Sequence, residues 1–200
     1  MDQEKEDSLI EKAVSKEEIL LAALKLFSCK GYFKTSLIDI AEQLGLQNTS
    51  FIYHHFKDKK MMAEQLYINI FDSLSVSIDE IRRKNQKSSE QLKGITDLLF
   101  RLTDEAPDVV RFLFVLNLNE FLPEEKPILE TAAFVKIFKI IQSGIRAGEI
   151  RDIDPQLINA YFFGVITHTL SSVLSGTLGK KADAYLNQSW SSAWQTIAKK

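Results

Sequence analysis

Apolar residues recur at helical spacing almost throughout the chain, and this period predicts an all-α protein. The first helix is marked by Ser15-Lys16-Glu17-Glu18, a capping box in which Ser15 and Glu18 satisfy each other's free backbone donors. Ile19, Ala22, Ala23, Leu26 and Phe27 then share one face, and Gly31 supplies the stop. Ser36 can cap a short second helix through Leu37, Ile38, Ile40, Ala41 and Leu44 that ends at Gly45. A third short helix fits between Asn48 and His55. Asp58 caps a longer one carrying Met61, Met62, Leu66, Ile70, Leu74 and Ile78, which fades into the polar run from Arg82 to Ser89.

Ser88 with Gln91 restarts the pattern as another capping box, and Pro107, Pro123, Pro127 and Pro155 punctuate the rest of the chain as prolines do at helix starts. Helices are expected at about 89–105, 108–121, 126–147, 155–177 and 181–198. The pattern divides the chain into an acidic N-terminal extension, 1–14, a three-helix head, 15–60, a connecting helix and boundary, 61–87, and a larger helical domain, 88–200. Leu157 to Gly179 carries no charge, so a membrane span has to be weighed. Asn159, Thr167, His168, Thr169, Ser171, Ser172, Ser175 and Thr177 are too many polar groups for lipid. A helix buried by its own domain and by a second copy of the chain fits better, so homodimerisation through the last two helices is expected and membrane association is not.

Composition narrows the function classes. The 200 residues are 45% hydrophobic and 26% charged, with a formal net charge of −2, so nucleic-acid contact would need a local patch. The local charge does reverse: residues 2 to 18 are dominated by acids, whereas from Lys25 to Lys60 six lysines (Lys25, Lys30, Lys34, Lys57, Lys59, Lys60) face only Asp39, Glu42 and Asp58. A single cysteine, Cys29, excludes an internal disulfide framework. The acidic start has neither the positive charge nor the apolar run of a signal peptide, which points to the cytoplasm.

The densest chemistry lies in Ser50–Lys60, SFIYHHFKDKK, downstream of two short helices set around Ala41 and Gly45. That spacing suits a helix-turn-helix, with a small residue at the close approach and glycine where the turn needs a positive φ. The whole run KEEILLAALKLFSCKGYFKTSLIDIAEQLGLQNTSFIYHHFKDKKMM resembles the TetR family of one-component bacterial regulators over about residues 16 to 66. Ile19, Ala23, Leu26 and Phe27 match the first helix, Gly31-Tyr32 the turn, and Thr35-Ser36 the phosphate-facing cap. Ile40-Ala41 and Leu44-Gly45-Leu46 match the second helix and its turn, and Tyr53, His55, Phe56, Lys57 and Lys59 the aromatic-rich end of the recognition helix and its following lysine. One residue more than the usual pattern separates Gly45 from this cluster, so either Phe51 or Ile52 occupies the core position before Tyr53, and Thr49 stands where glycine, alanine or proline is common.

The resemblance implies a helix-turn-helix head joined to a ligand-binding and dimerisation domain. Its function would be that of a ligand-responsive regulator, a repressor released from double-stranded operator DNA by a small, mainly apolar inducer. Lys34, Thr35, Ser36, Tyr53, His54, His55, Lys57 and Lys59 are the phosphate-side candidates, and Gln47, Asn48, Thr49 and Ser50 the base readers. No arginine precedes Arg82, so guanine reading by a bidentate arginine is excluded from the head and adenine reading by Gln47 or Asn48 is expected. A lysine at the start of a helix is misplaced against the helix dipole, which makes Lys59 look like an anion contact. Adjacent histidines on a helix point about 100° apart and no further ligand joins His54 and His55, so no metal and no cofactor is expected.

Phe114, Asn117, Glu120, Tyr161 and His168 are candidates to line a pocket among the later helices. A helical enzyme is the alternative class. Paired carboxylates with a positioned histidine, a glycine-rich phosphate loop and metal-ligand spacing are all missing from the sequence, which argues against it. A helical partner-binding protein without DNA affinity is a further reading.

Overall fold

A computed structural model describes residues 14–200, so all but the last residue of the acidic extension lies outside the described residues. The helices are α1 Lys16–Lys30, α2 Leu37–Gln43, α3 Ser50–His55, α4 Lys59–Lys84, α5 Ser88–Glu105, α6 Pro107–Phe114, α7 Leu118–Phe121, α8 Ala132–Arg146, α9 Pro155–Leu174 and α10 Leu186–Ile197. Short 3-10 turns at Ile128–Glu130 and Ala182–Tyr185 precede α8 and α10. The helix expected over 108–121 is broken. Val115 closes α6, Asn117 leads into α7, and the two are separate elements.

Two compact units result. One takes residues up to Asn69 together with Leu116–Glu125; the other takes Ile70–Val115 and Lys126–Lys200. The division falls inside α4, and Leu116–Glu125 joins the head although the sequence pattern assigns it to the domain 88–200. Its apolar side chains explain this: Leu118, Phe121 and Leu122 are all buried.

In the first unit, α1 begins as its sequence dictates. The Ser15 N–H donates to the Glu18 carboxylate at 2.7 Å and the Ser15 hydroxyl accepts from the Glu18 N–H at 3.1 Å. The face of α1 that carries Ile19, Ala23 and Phe27 is buried, as are Ile40, Ile52, Phe56 and Met62 of the same unit, and α1 packs on α2. Asp58 caps α4 by accepting the Met61 N–H at 2.8 Å.

In the second unit α5 packs against α6, α8, α9 and α10, and α9 lies along α10. Leu92, Ile95, Phe100, Phe112, Ile141, Phe162, Ile166 and Ile197 fill the interior. The start of α5 is not held by Ser88 and Gln91. Ser88 is already inside the helix, and the Glu149 carboxylate accepts the Ser88 N–H at 3.1 Å, the Ser89 N–H at 3.0 Å and the Ser89 hydroxyl at 2.6 Å. Burial works to raise the Glu149 pKa, but these hydrogen bonds together hold it below the usual value.

Helix α9 is long and apolar enough, by length and composition, to cross a membrane, and only 28% of that window is buried within the chain. Three of its hydroxyls are satisfied locally: Thr167 donates to the Phe163 carbonyl, Thr169 to Val165 and Ser172 to His168. Leu157, Ala160, Tyr161, Gly164 and His168 form an exposed, uncharged stripe along it. Trp190 and Trp194 stack with centroids 5.5 Å apart, and Phe162 meets Trp190 edge-on.

Candidate nucleic-acid interface

The reading surface rests on how α2 and α3 are pinned. Ser36 caps α2, its hydroxyl accepting the Asp39 N–H at 3.1 Å while the Asp39 carboxylate accepts the Ser36 N–H at 2.6 Å. The Lys30 ammonium also pairs with Asp39. These partners, Lys30 first and Ser36 next, hold the Asp39 carboxyl well below the usual carboxylate range. At the other end Gly45 takes φ 70°, which lets the chain turn so that the Leu46 N–H reaches back to the Ala41 carbonyl at 2.9 Å.

Helix α3 comes next, with a definite phase. Ile52 and Phe56, four apart, are fully buried, whereas Phe51 is half-buried with its ring 5.1 Å from that of His55. Ile52 therefore takes the core position that the sequence left open between it and Phe51. The opposite face carries Ser50, Tyr53 and His54, all exposed, with Tyr53 at 56%. Gln47, Asn48 and Lys57 are exposed beside it, Thr49 is half-buried, and the Asn48 side-chain carbonyl accepts the Ser50 N–H at 2.8 Å. Lys34 and Ser36 are exposed on the turn ahead of α2.

Residues 19–66 match the profile of the bacterial regulatory proteins of the tetR family. The described helices superpose on the regulator FadR of Bacillus subtilis, solved in complex with stearoyl-CoA, with a TM-score of 0.76 at 21% identity over 92% of this chain and all of that one. Residues 19–66 thus carry the regulatory head of the tetR type, and the likeness to FadR extends the shared fold over the helices that follow. Among curated relatives, the negative transcriptional regulator IcaR of the Staphylococcus aureus (strain Newman) biofilm operon icaADBC is 35% identical over 85 residues, 42% of this chain. That match spans 44% of the length of IcaR. The transcriptional repressor KstR2 of Mycolicibacterium smegmatis is 27% identical over 167 residues, 76% of each chain.

Two of the residues that the TetR resemblance assigns to phosphates are turned inward. Thr35 is 2% exposed and its hydroxyl donates to the Gly31 carbonyl at 2.8 Å, so it braces the turn, which corrects the expectation of a phosphate-facing side chain. Lys59 reaches back from the start of α4 to the carbonyls of Tyr32 at 2.8 Å and Thr35 at 2.9 Å, with its ammonium 4.3 Å from the Tyr32 ring centroid. Burial lowers its pKa, against the opposing charge of Asp39.

Sequence reasoning missed the other partner of Tyr32. Phe121 stacks on that ring with centroids 4.2 Å apart and planes 11° from parallel, and Glu124 pairs with Lys60 at 3.0 Å. The only trace in the sequence is the apolar spacing of Leu118, Phe121 and Leu122 after the broken helix.

The five ligand candidates are divided between the two units. Asn117 and Glu120 belong to the first unit, exposed and hydrogen-bonded to each other at 2.7 Å. Tyr161 and His168 stand on the outer stripe of α9, and Phe114 is half-buried at the end of α6. Polar residues on an apolar helix faced outward from this chain instead of inward.

Proposed function

We propose that this chain is a ligand-responsive repressor that acts in the cytoplasm as a homodimer on double-stranded operator DNA. The observation that carries the reading is the phase of α3: burial of Ile52 and Phe56 leaves Ser50, Tyr53 and His54 on one exposed face, the arrangement that suits a recognition helix in the major groove. Gln47, Asn48, Thr49 and Ser50 then face base edges, while Lys34, Ser36, Tyr53, His54, His55 and Lys57 hold the backbone. Repression is the sense favoured by IcaR and KstR2, both described as negative regulators or repressors.

A second copy covering the uncharged stripe of α9 accounts for Leu157 and Tyr161 at the surface, because a long apolar face in water is costly. The pair of heads would meet successive major grooves about 34–36 Å apart. A small, mainly apolar molecule bound in the phenylalanine-rich second unit would bias that spacing, and pocket and DNA affinities would be reciprocally coupled. Stearoyl-CoA, the ligand bound to FadR, is the first compound to try.

The test is fluorescence anisotropy with DNA taken from upstream of the chain's own coding region. A complex that survives excess random DNA, weakens steeply with salt and is lost in Tyr53→Ala supports the reading. Binding that random DNA abolishes at every salt concentration would return the chain to the class of partner-binding helical proteins.

A further inference from the structure

We infer that Lys59 is a positioning residue of the head, one that holds the Tyr32–Ser36 turn in the geometry DNA requires, and not a phosphate contact. This rests on the proposed DNA binding and assigns a role within that same surface. An ammonium has three N–H donors and no acceptor. In Lys59 two of them are aimed at the carbonyls of Tyr32 and Thr35, at 2.8 and 2.9 Å, and the charge sits 4.3 Å above the Tyr32 ring. Carbonyl oxygens and an aromatic face are the electron-rich partners a cation seeks, so its coordination is complete inside the protein.

The same geometry removes the reason for placing Lys59 on DNA. A lysine at a helix start needs compensation for the helix dipole. The two carbonyls and the ring supply it without any phosphate. Lys34 and Lys57, by contrast, are exposed and free of such enclosure, which suits contacts with a hydrated backbone.

What Lys59 does for DNA binding is indirect. Tyr32 and Thr35 bracket Phe33 and Lys34, and Ser36, the cap of α2, is the next residue. Tying both carbonyls to the start of α4 fixes the direction in which Lys34 and the first turn of α2 point. Thr35 reinforces the same turn from within by its bond to Gly31.

The salt dependence of DNA affinity separates the two roles. The full chain and its Lys34→Met, Lys57→Met and Lys59→Met variants are titrated onto the upstream DNA over a series of potassium chloride concentrations. Loss of a phosphate contact lowers the slope of log K against log salt by about 0.9 for each contact. Lys34→Met and Lys57→Met are expected to show that loss. Lys59→Met should weaken binding by about tenfold at every salt concentration, through loss of two charged hydrogen bonds, with the wild-type slope.

Lys59→Arg guards against a variant that fails to fold. It keeps the charge, but the longer and bulkier guanidinium cannot take the place from which the compact ammonium reaches both carbonyls at 2.8 and 2.9 Å, so affinity should stay reduced with an unchanged slope. A slope lowered in Lys59→Met, or full affinity in Lys59→Arg, overturns the inference. If the unsubstituted chain forms no specific complex, it is the proposed function that fails, and the role of Lys59 in it falls too.

Discussion

Phe121→Ala tests whether the segment Leu116–Glu125 is an integral part of the head. Phe121 is 7% exposed and lies flat on Tyr32, with Phe33 edge-on at 6.3 Å. A buried aromatic side chain removes about 150–250 Å² from water, worth about 4–6 kcal/mol, of which alanine keeps a small part. Leu118 and Leu122 keep the segment docked, so the site cannot collapse fully onto the space left behind. The expected loss is about 3 kcal/mol in the local opening of the turn after α1, which corresponds to roughly hundredfold faster amide exchange.

Hydrogen-exchange mass spectrometry on peptides spanning 27–36 reads this directly, with peptides from α9 and α10 as the internal control. Phe121→Leu separates the contributions. It retains most of the apolar area and loses the ring stack, so a cost of about 1 kcal/mol and roughly fivefold faster exchange is expected. Unchanged protection over 27–36 in Phe121→Ala would refute the reasoning, because the stack would then contribute nothing to holding the turn.

Packing and charge elsewhere in the molecule set four further outcomes. Ile52→Ala should lower head stability by about 2–4 kcal/mol and Phe51→Ala by clearly less, a comparison that thermal unfolding by circular dichroism decides. Asp39, whose pKa is depressed by Lys30 and Ser36, contributes stability present above the unfolded carboxyl value of about 3.9 and lost as pH falls through its lower folded value; Asp39→Asn should abolish that part of the acid unfolding profile. Gly144→Ala should destabilise the second unit by about 1–3 kcal/mol in urea unfolding, since a Cβ there would lie 2.6 Å from Ile150 Cδ1 and 2.9 Å from Ser88 Cβ. If the proposed dimer forms through the exposed stripe of α9, Tyr161→Asp, which places a charge in the middle of that stripe, should shift it to monomer in sedimentation velocity, without loss of helix content.

Much of the head was legible because its information is local. The capping boxes at Ser15 and Ser36 act over three residues, the glycine at 45 answers a backbone need at its own position, and the spacing of Ile19, Ala23 and Phe27 is set by the helical period. The one-residue ambiguity at Phe51 and Ile52 was a question of phase. Only the burial each side chain finds in the folded head could settle it, since both are apolar and large.

The sequence by itself thus determined an all-helical chain, its helix starts, and a helix-turn-helix specific enough to resemble one family. Tertiary structure alone decided which partners distant groups meet. Glu149 caps a helix that begins about 60 residues earlier, Phe121 leaves its neighbours in sequence to stack on Tyr32, and Lys59 folds back onto carbonyls instead of facing outward. Such contacts depend on where whole elements dock, and docking is fixed by the summed burial of many side chains. No periodicity within a single segment records that sum, which is why Tyr161 and His168 read as pocket residues in the sequence and stand on the outer face of α9 in the fold.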